Sequence, residues 1–155
     1  MIARLVMPFV LLSLCIIVHA LMMTVLLRRS ASAVRSTGMR FWRITWLLIR
    51  LAAWIVGAHQ FEIGIWAFYY SWHQLFVNPE TSFYFSAVTY TTVGYGDLVL
   101  PESWRVIAGV EGLTGILMCG WSTGLLFALV NRMYAAPSPA DGRAASQVGR
   151  LDSDS

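Results

Sequence analysis

Thr91-Thr92-Val93-Gly94-Tyr95-Gly96-Asp97 is the stretch that decides how the rest of the chain is read. Gly94 and Gly96 take positive φ without steric cost. When residues alternate between ordinary and left-handed conformations, successive carbonyls turn to the same side. A row of carbonyl oxygens aimed at one axis can replace the hydration shell of a cation. Val93 and Tyr95 then project outward and wedge the loop against its surroundings, while the Thr92 hydroxyl adds oxygens below the carbonyls. A glycine-bearing polar turn that matched by accident would not lie, as this one does, between an apolar segment and a further apolar helix.

Composition places that stretch in a membrane. The 155 residues are 57% hydrophobic and 12% charged, against about 25% charged in a soluble domain. The eleven basic residues are all arginine, and the net charge is +3. Cys15 and Cys119 sit in separate apolar runs and read as small core hydrophobes, not as a disulfide or metal pair. The basic balance comes without a nucleic-acid signature. No nucleophile–base pair or metal-ligand spacing points to an enzyme, and no organic cofactor or soluble partner is expected.

Leu5 to Leu27 is uncharged and apolar, about 34 Å long as a helix and able to span a bilayer. Pro8 falls in its first turn, where proline is tolerated. His19 reads as a hydrogen-bonded or interface-facing histidine, because no second ligand stands near it in the sequence. A cleaved signal peptide ending near Ala20 is the rival reading. It is disfavoured because the apolar run continues to Leu27. Residues 1–27 are therefore expected to be an N-terminal transmembrane helix, and 28–43 an arginine-rich cytoplasmic loop. Residues 44–70 make a second span, with Arg50 able to snorkel. Arg43 and Arg50 do not form the ladder of a voltage sensor. His59, Gln60 and Glu62 lie in its other half, as functional groups or as a buried hydrogen-bonded cluster.

Residues 81–90 are too short to span, so a re-entrant helix is expected, capped by Thr81 or Ser82 after Pro79. The loop 91–97 follows, and residues 104–133 form the last span. Glycines at 109, 112, 115, 120 and 124 thin that span, either for close helix packing or for a bend that opens a gate. Residues 135–155 read as a disordered cytoplasmic tail. Charge bias puts the N-terminus outside and the C-terminus in the cytoplasm.

With these residues in place, the chain resembles the small prokaryotic potassium channels. Residues 44–134 would be the pore domain (outer helix, pore helix, filter, inner helix), with one extra N-terminal helix. The likeness is carried by Thr92-Val93-Gly94-Tyr95-Gly96, the recognised potassium-filter sequence. It implies an all-α membrane protein with three transmembrane helices, a re-entrant pore helix and a filter loop. One chain supplies one loop and a filter needs four, so a fourfold homotetramer in the plasma membrane (the cell's inner membrane), among lipids, is implied. The implied ion is K+, held by the backbone carbonyls of Thr92, Val93, Gly94 and Tyr95. Tyr84, Thr89 and Asp97 are the implied filter supports, and Glu80 and Glu102 would ring the outer mouth. Leu117, Gly120, Gly124 and Ala128 are the implied pore-lining or gate residues. Glu111, on the helical face of Ala108, Gly115 and Met118, would lie off the ion path; a structural hydrogen bond to the pore helix is the stronger reading of it, and a proton sensor the other.

The chain departs from the family at three places. Tyr84 and Phe85 stand where many members carry adjacent tryptophans, Val88 where some carry a glutamate, and Ile116 where a hinge glycine is usual. The function implied is passive K+ conduction. A potassium transporter subunit is disfavoured, since such chains usually hold four degenerate loops. A non-conducting regulatory subunit remains the other alternative.

Overall fold

The computed structural model describes residues 2–34 and 41–134. The expected tail, 135–155, and the loop residues 35–40 lie outside the described residues. Among those described, every regular element is helical: α1 (Ile2–Val34), α2 (Phe41–Trp72), α3 (Pro79–Tyr90), a single 3-10 turn (Glu102–Trp104) and α4 (Arg105–Tyr134).

Three helices are long and apolar enough to cross a membrane, over Val6–Arg29, Trp42–Trp72 and Glu102–Asn131. The protein is an all-α, membrane-embedded chain. The helices outrun the apolar stretches that announce them. α1 begins at Ile2 and continues through Arg28 and Arg29 to Val34, so the arginine-rich segment starts as helix. Arginine favours helix about as well as leucine does, so loss of hydrophobicity alone gives no stop signal. The earlier start puts Pro8 inside the helix, not in its first turn, where it removes one backbone hydrogen bond.

Several hydroxyls on the long helices return their protons to their own backbone, as suits a lipid environment. Ser13 donates to the Phe9 carbonyl at 2.8 Å, Thr24 to Ala20 at 2.7 Å and Thr123 to Cys119 at 2.8 Å. Both cysteines are free.

α3 is wedged between α2 and α4, and α1 packs across those same two long helices. Trp66, Tyr70, Phe85, Tyr90, Leu100, Ile107 and Met118, with Cys15 from α1, form the main core. Phe85 meets Tyr70 edge to face, with centroids 5.3 Å apart, the arrangement that aromatic quadrupoles favour. A second cluster of Met23, Leu26, Leu51, Ala58 and Leu129 closes the arginine-bearing end. There the Arg29 guanidinium lies 5.6 Å from the Trp54 ring centroid, and Trp54 Nε1 donates to the Met22 carbonyl.

Candidate functional site

The short helix α3 is aimed by its two ends. Asn78, extended at φ −141°, is its N-cap, and its Oδ1 accepts the Thr81 backbone N–H at 2.8 Å. The cap is therefore Asn78, not Thr81 or Ser82. Pro79 occupies the first helical position, where its missing N–H costs nothing and its fixed φ is already helical. At the other end the Thr91 N–H reaches Ala87 at 3.1 Å and the Thr92 N–H reaches Thr89 at 2.9 Å. The negative end of the helix dipole thus points into the 91–97 loop, where it favours a cation.

Within that loop φ is +61° at Thr92, +56° at Gly94 and +77° at Gly96. Every second residue is left-handed, the alternation that turns carbonyls to one side. A Cβ on Gly94 or Gly96 would meet nothing within 4 Å, so backbone conformation, not space, demands glycine there. Thr92 is the unexpected member. A β-branched residue at positive φ is a strained conformer costing of order 1–3 kcal/mol. The Gly94 N–H closes the loop onto the Val88 carbonyl at 3.2 Å. Residues 91–97 are all exposed in the single chain.

Behind the loop, polar groups are held in three places. Tyr84 donates its hydroxyl proton to Asp97 Oδ2 at 2.7 Å. This contact to the Asp97 carboxylate raises the Tyr84 pKa above its ordinary value. Deeper, Glu111 is fully buried. Its Oε2 accepts the Tyr70 hydroxyl at 2.6 Å, and its Oε1 lies 2.5 Å from Ser86 Oγ, which is also 2.9 Å from the Ile63 carbonyl. Ser86 thus donates to Glu111 while facing the Ile63 carbonyl, and Tyr70 donates to the other carboxyl oxygen, so both oxygens of Glu111 are partnered. The third place joins α1 to the rest. His19 Nδ1 lies 2.7 Å from Glu62 Oε1, the Tyr90 hydroxyl bonds Glu62 Oε2, and His59 Nδ1 is 3.0 Å from the same hydroxyl.

The other residues singled out in the sequence fall on two faces of α4. Leu117, Gly120, Gly124 and Ala128 lie on an exposed stripe, while Glu111, Gly115, Met118 and Ser122 are buried. Glu80 and Glu102 are exposed, and Thr89 is half-buried. His19 is a hydrogen-bonded histidine, as its sequence reading had it, but the potential ligands missing near it along the chain, His59 and Glu62, stand beside it in space. His59 and Glu62 share a helical face at i,i+3, which was legible. His19 joins them only through the packing of α1.

Two membrane-crossing helices flanking a short helix and a loop of alternating handedness define the class of an ion-channel pore unit. Comparison with known proteins agrees. The family described as "Ion channel" matches residues 44–132, more than half of the chain, and the chain belongs to that family. The chain is similar to the potassium voltage-gated channel protein Shal of Drosophila melanogaster, 33% identical over 78 residues. That match covers 49% of this chain and 14% of the relative. The human A-type voltage-gated potassium channel KCND3 is 31% identical over 78 residues, covering 49% and 12% of the two chains. The voltage-gated potassium channel regulatory subunit KCNG2 of Gallus gallus is 36% identical over 76 residues, covering 48% and 14%. The chain spans only about an eighth of the length of the curated relatives it matches. No solved structure matches it.

Proposed function

We propose that the protein is a potassium-selective channel, conducting K+ passively through a pore made by four copies of this chain. The observation that carries the reading is the left-handed alternation at Thr92, Gly94 and Gly96, within a recognised potassium-filter sequence and at the C-terminal end of α3. The carbonyls of Thr92, Val93, Gly94 and Tyr95 replace the ion's water. Exposed Val93 and Tyr95 and the open α4 stripe suit contact with neighbouring copies and the ion path. A single loop per chain makes the pore complete only as a tetramer. The arginine bias between α1 and α2 supports a plasma-membrane orientation with the N-terminus outside and the C-terminus in the cytoplasm.

Tyr84 and Asp97 brace the filter from behind, taking the part that a tryptophan plays in relatives. Glu80, Asp97 and Glu102 concentrate cations at the outer mouth. A regulatory subunit is the second reading, favoured by the likeness to a relative whose name says as much. Ion flux into liposomes holding only this purified chain tests the two together. Potassium uptake driven by a gradient supports the channel, and a silent chain that alters the currents of a co-expressed channel supports the subunit.

A further inference from the structure

The cluster that ties α1 to the pore unit is one charge short of closing. His19 and Glu62 are fully buried, and His59 is 15% exposed. There are five contacts: His19 Nδ1 to Glu62 Oε1, Tyr90 Oη to Glu62 Oε2, His59 Nδ1 to Tyr90 Oη, and Ser122 Oγ to the Nε2 atoms of His19 and His59, at 3.1 and 3.3 Å. Each contact needs a proton. An ionised Glu62, two neutral imidazoles and two hydroxyls bring four. A cation completes the arrangement.

We propose that His19 Nδ1, His59 Nδ1 and the Glu62 carboxylate form a divalent transition-metal site of the Zn2+ class, binding α1 to α2 beside the C-terminal end of the pore helix. The two Nδ1 atoms face the same carboxylate, 2.7 and 3.7 Å from its oxygens. All three donor groups lie within 4.8 Å of one another. Tetrahedral zinc holds such donors at about 2.0–2.2 Å, which puts them about 3.3 Å apart, so small side-chain rotations close the site.

Ser122 also fits the metal-bound form. With the metal on both Nδ1 atoms, each neutral imidazole carries its proton on Nε2, and the two lone pairs of Ser122 Oγ accept both. An outer partner of this kind fixes the tautomer of a metal-ligating histidine. Two imidazoles and one carboxylate suit zinc better than magnesium or calcium, which prefer all-oxygen sites. Tyr90 Oη lies 3.0 Å from His59 Nδ1 and bonds Glu62 Oε2. His19 lies outside residues 44–132, so the site needs the added helix. Tyr90 directly precedes Thr91, so an ion bound here would join α1 to α2 beside the residue from which the filter loop departs.

The test uses the full chain in detergent, stripped with a chelator and then equilibrated with Zn2+ alone. About one zinc per chain is expected, with a raised thermal midpoint. Binding should be lost in His19→Gln and in His59→Gln, and weakened about 10- to 100-fold in Ser122→Ala. Should the histidine variants fail to fold, Co2+ on the stripped wild-type protein reads the donor set directly, and an intense visible spectrum of four- or five-coordinate cobalt is expected. A wild-type chain that takes up no stoichiometric zinc overturns the proposal, leaving a shared proton as the missing charge. A six-coordinate cobalt spectrum, or zinc uptake unchanged in folded His19→Gln and His59→Gln, overturns it equally.

Discussion

The carbonyl oxygen of Tyr90 lies 1.8 Å from where a Cβ on Gly115 would stand. α4 therefore rests directly on the last residue of α3, and at this point only a residue without a side chain allows it. Gly112, one turn away, has ordinary clearance, with the Thr89 carbonyl 3.6 Å from its Cβ position. Gly115→Ala should push α4 from the pore helix at an overpacking cost of about 1–3 kcal/mol, read as a lower thermal midpoint in detergent. Gly112→Ala should stay close to wild type. Equal effects would remove the special status of Gly115.

Tyr84→Phe removes the donor to Asp97 and should shorten conducting bursts at low external potassium. The raised Tyr84 pKa fixes the sign of the pH effect. The bond contributes fully below the ordinary tyrosine range and is lost only as pH rises through the higher folded value. Wild-type bursts should therefore be insensitive to this group at neutral pH. Burst lengths in single-channel records check both statements, and an unchanged Tyr84→Phe would detach the contact from filter stability.

Glu111→Gln keeps the shape of the side chain and can still accept from Tyr70 through its amide oxygen. It should keep a near-wild-type thermal midpoint. Glu111→Leu strands those partners in the core and should cost about 1–3 kcal/mol. If Glu111 also senses protons, open probability measured against pH should flatten in the glutamine variant. An identical curve would leave it a purely structural role.

Glu80 is exposed in the first turn of α3 and Glu102 in the 3-10 turn after the loop, and in the proposed tetramer fourfold repetition would make acidic rings of them. Glu80→Gln or Glu102→Gln should lower conductance more at low ionic strength than at high, since salt screens exposed charge. Conductance unchanged at low salt would count against the rings.

The parts of this protein legible in the sequence are those whose causes are local. The Val93-Gly94-Tyr95-Gly96 alternation announces its backbone, and the apolar run from Leu5 announces a span. Local ambiguity cost the cap of α3: Asn78, Thr81 and Ser82 all have capping side chains, and Pro79 is equally acceptable before or at the first helical position. Thr92 was illegible for the opposite reason, because its intrinsic preference opposes the φ that the loop imposes. The His19, His59, Glu62 and Ser122 cluster draws on three helices and on separations of up to 103 residues. No periodicity within one helix reports which face of α1 meets α2.

The central claim is that the 91–97 loop selects potassium, and the reversal potential in planar bilayers under opposed K+ and Na+ gradients tests it most directly. With only this purified chain present, the current should reverse near the potassium equilibrium potential, and Gly96→Ala should lose that current while still inserting and assembling. A current that does not distinguish K+ from Na+, or a Gly96→Ala variant that keeps full potassium selectivity, would contradict the account.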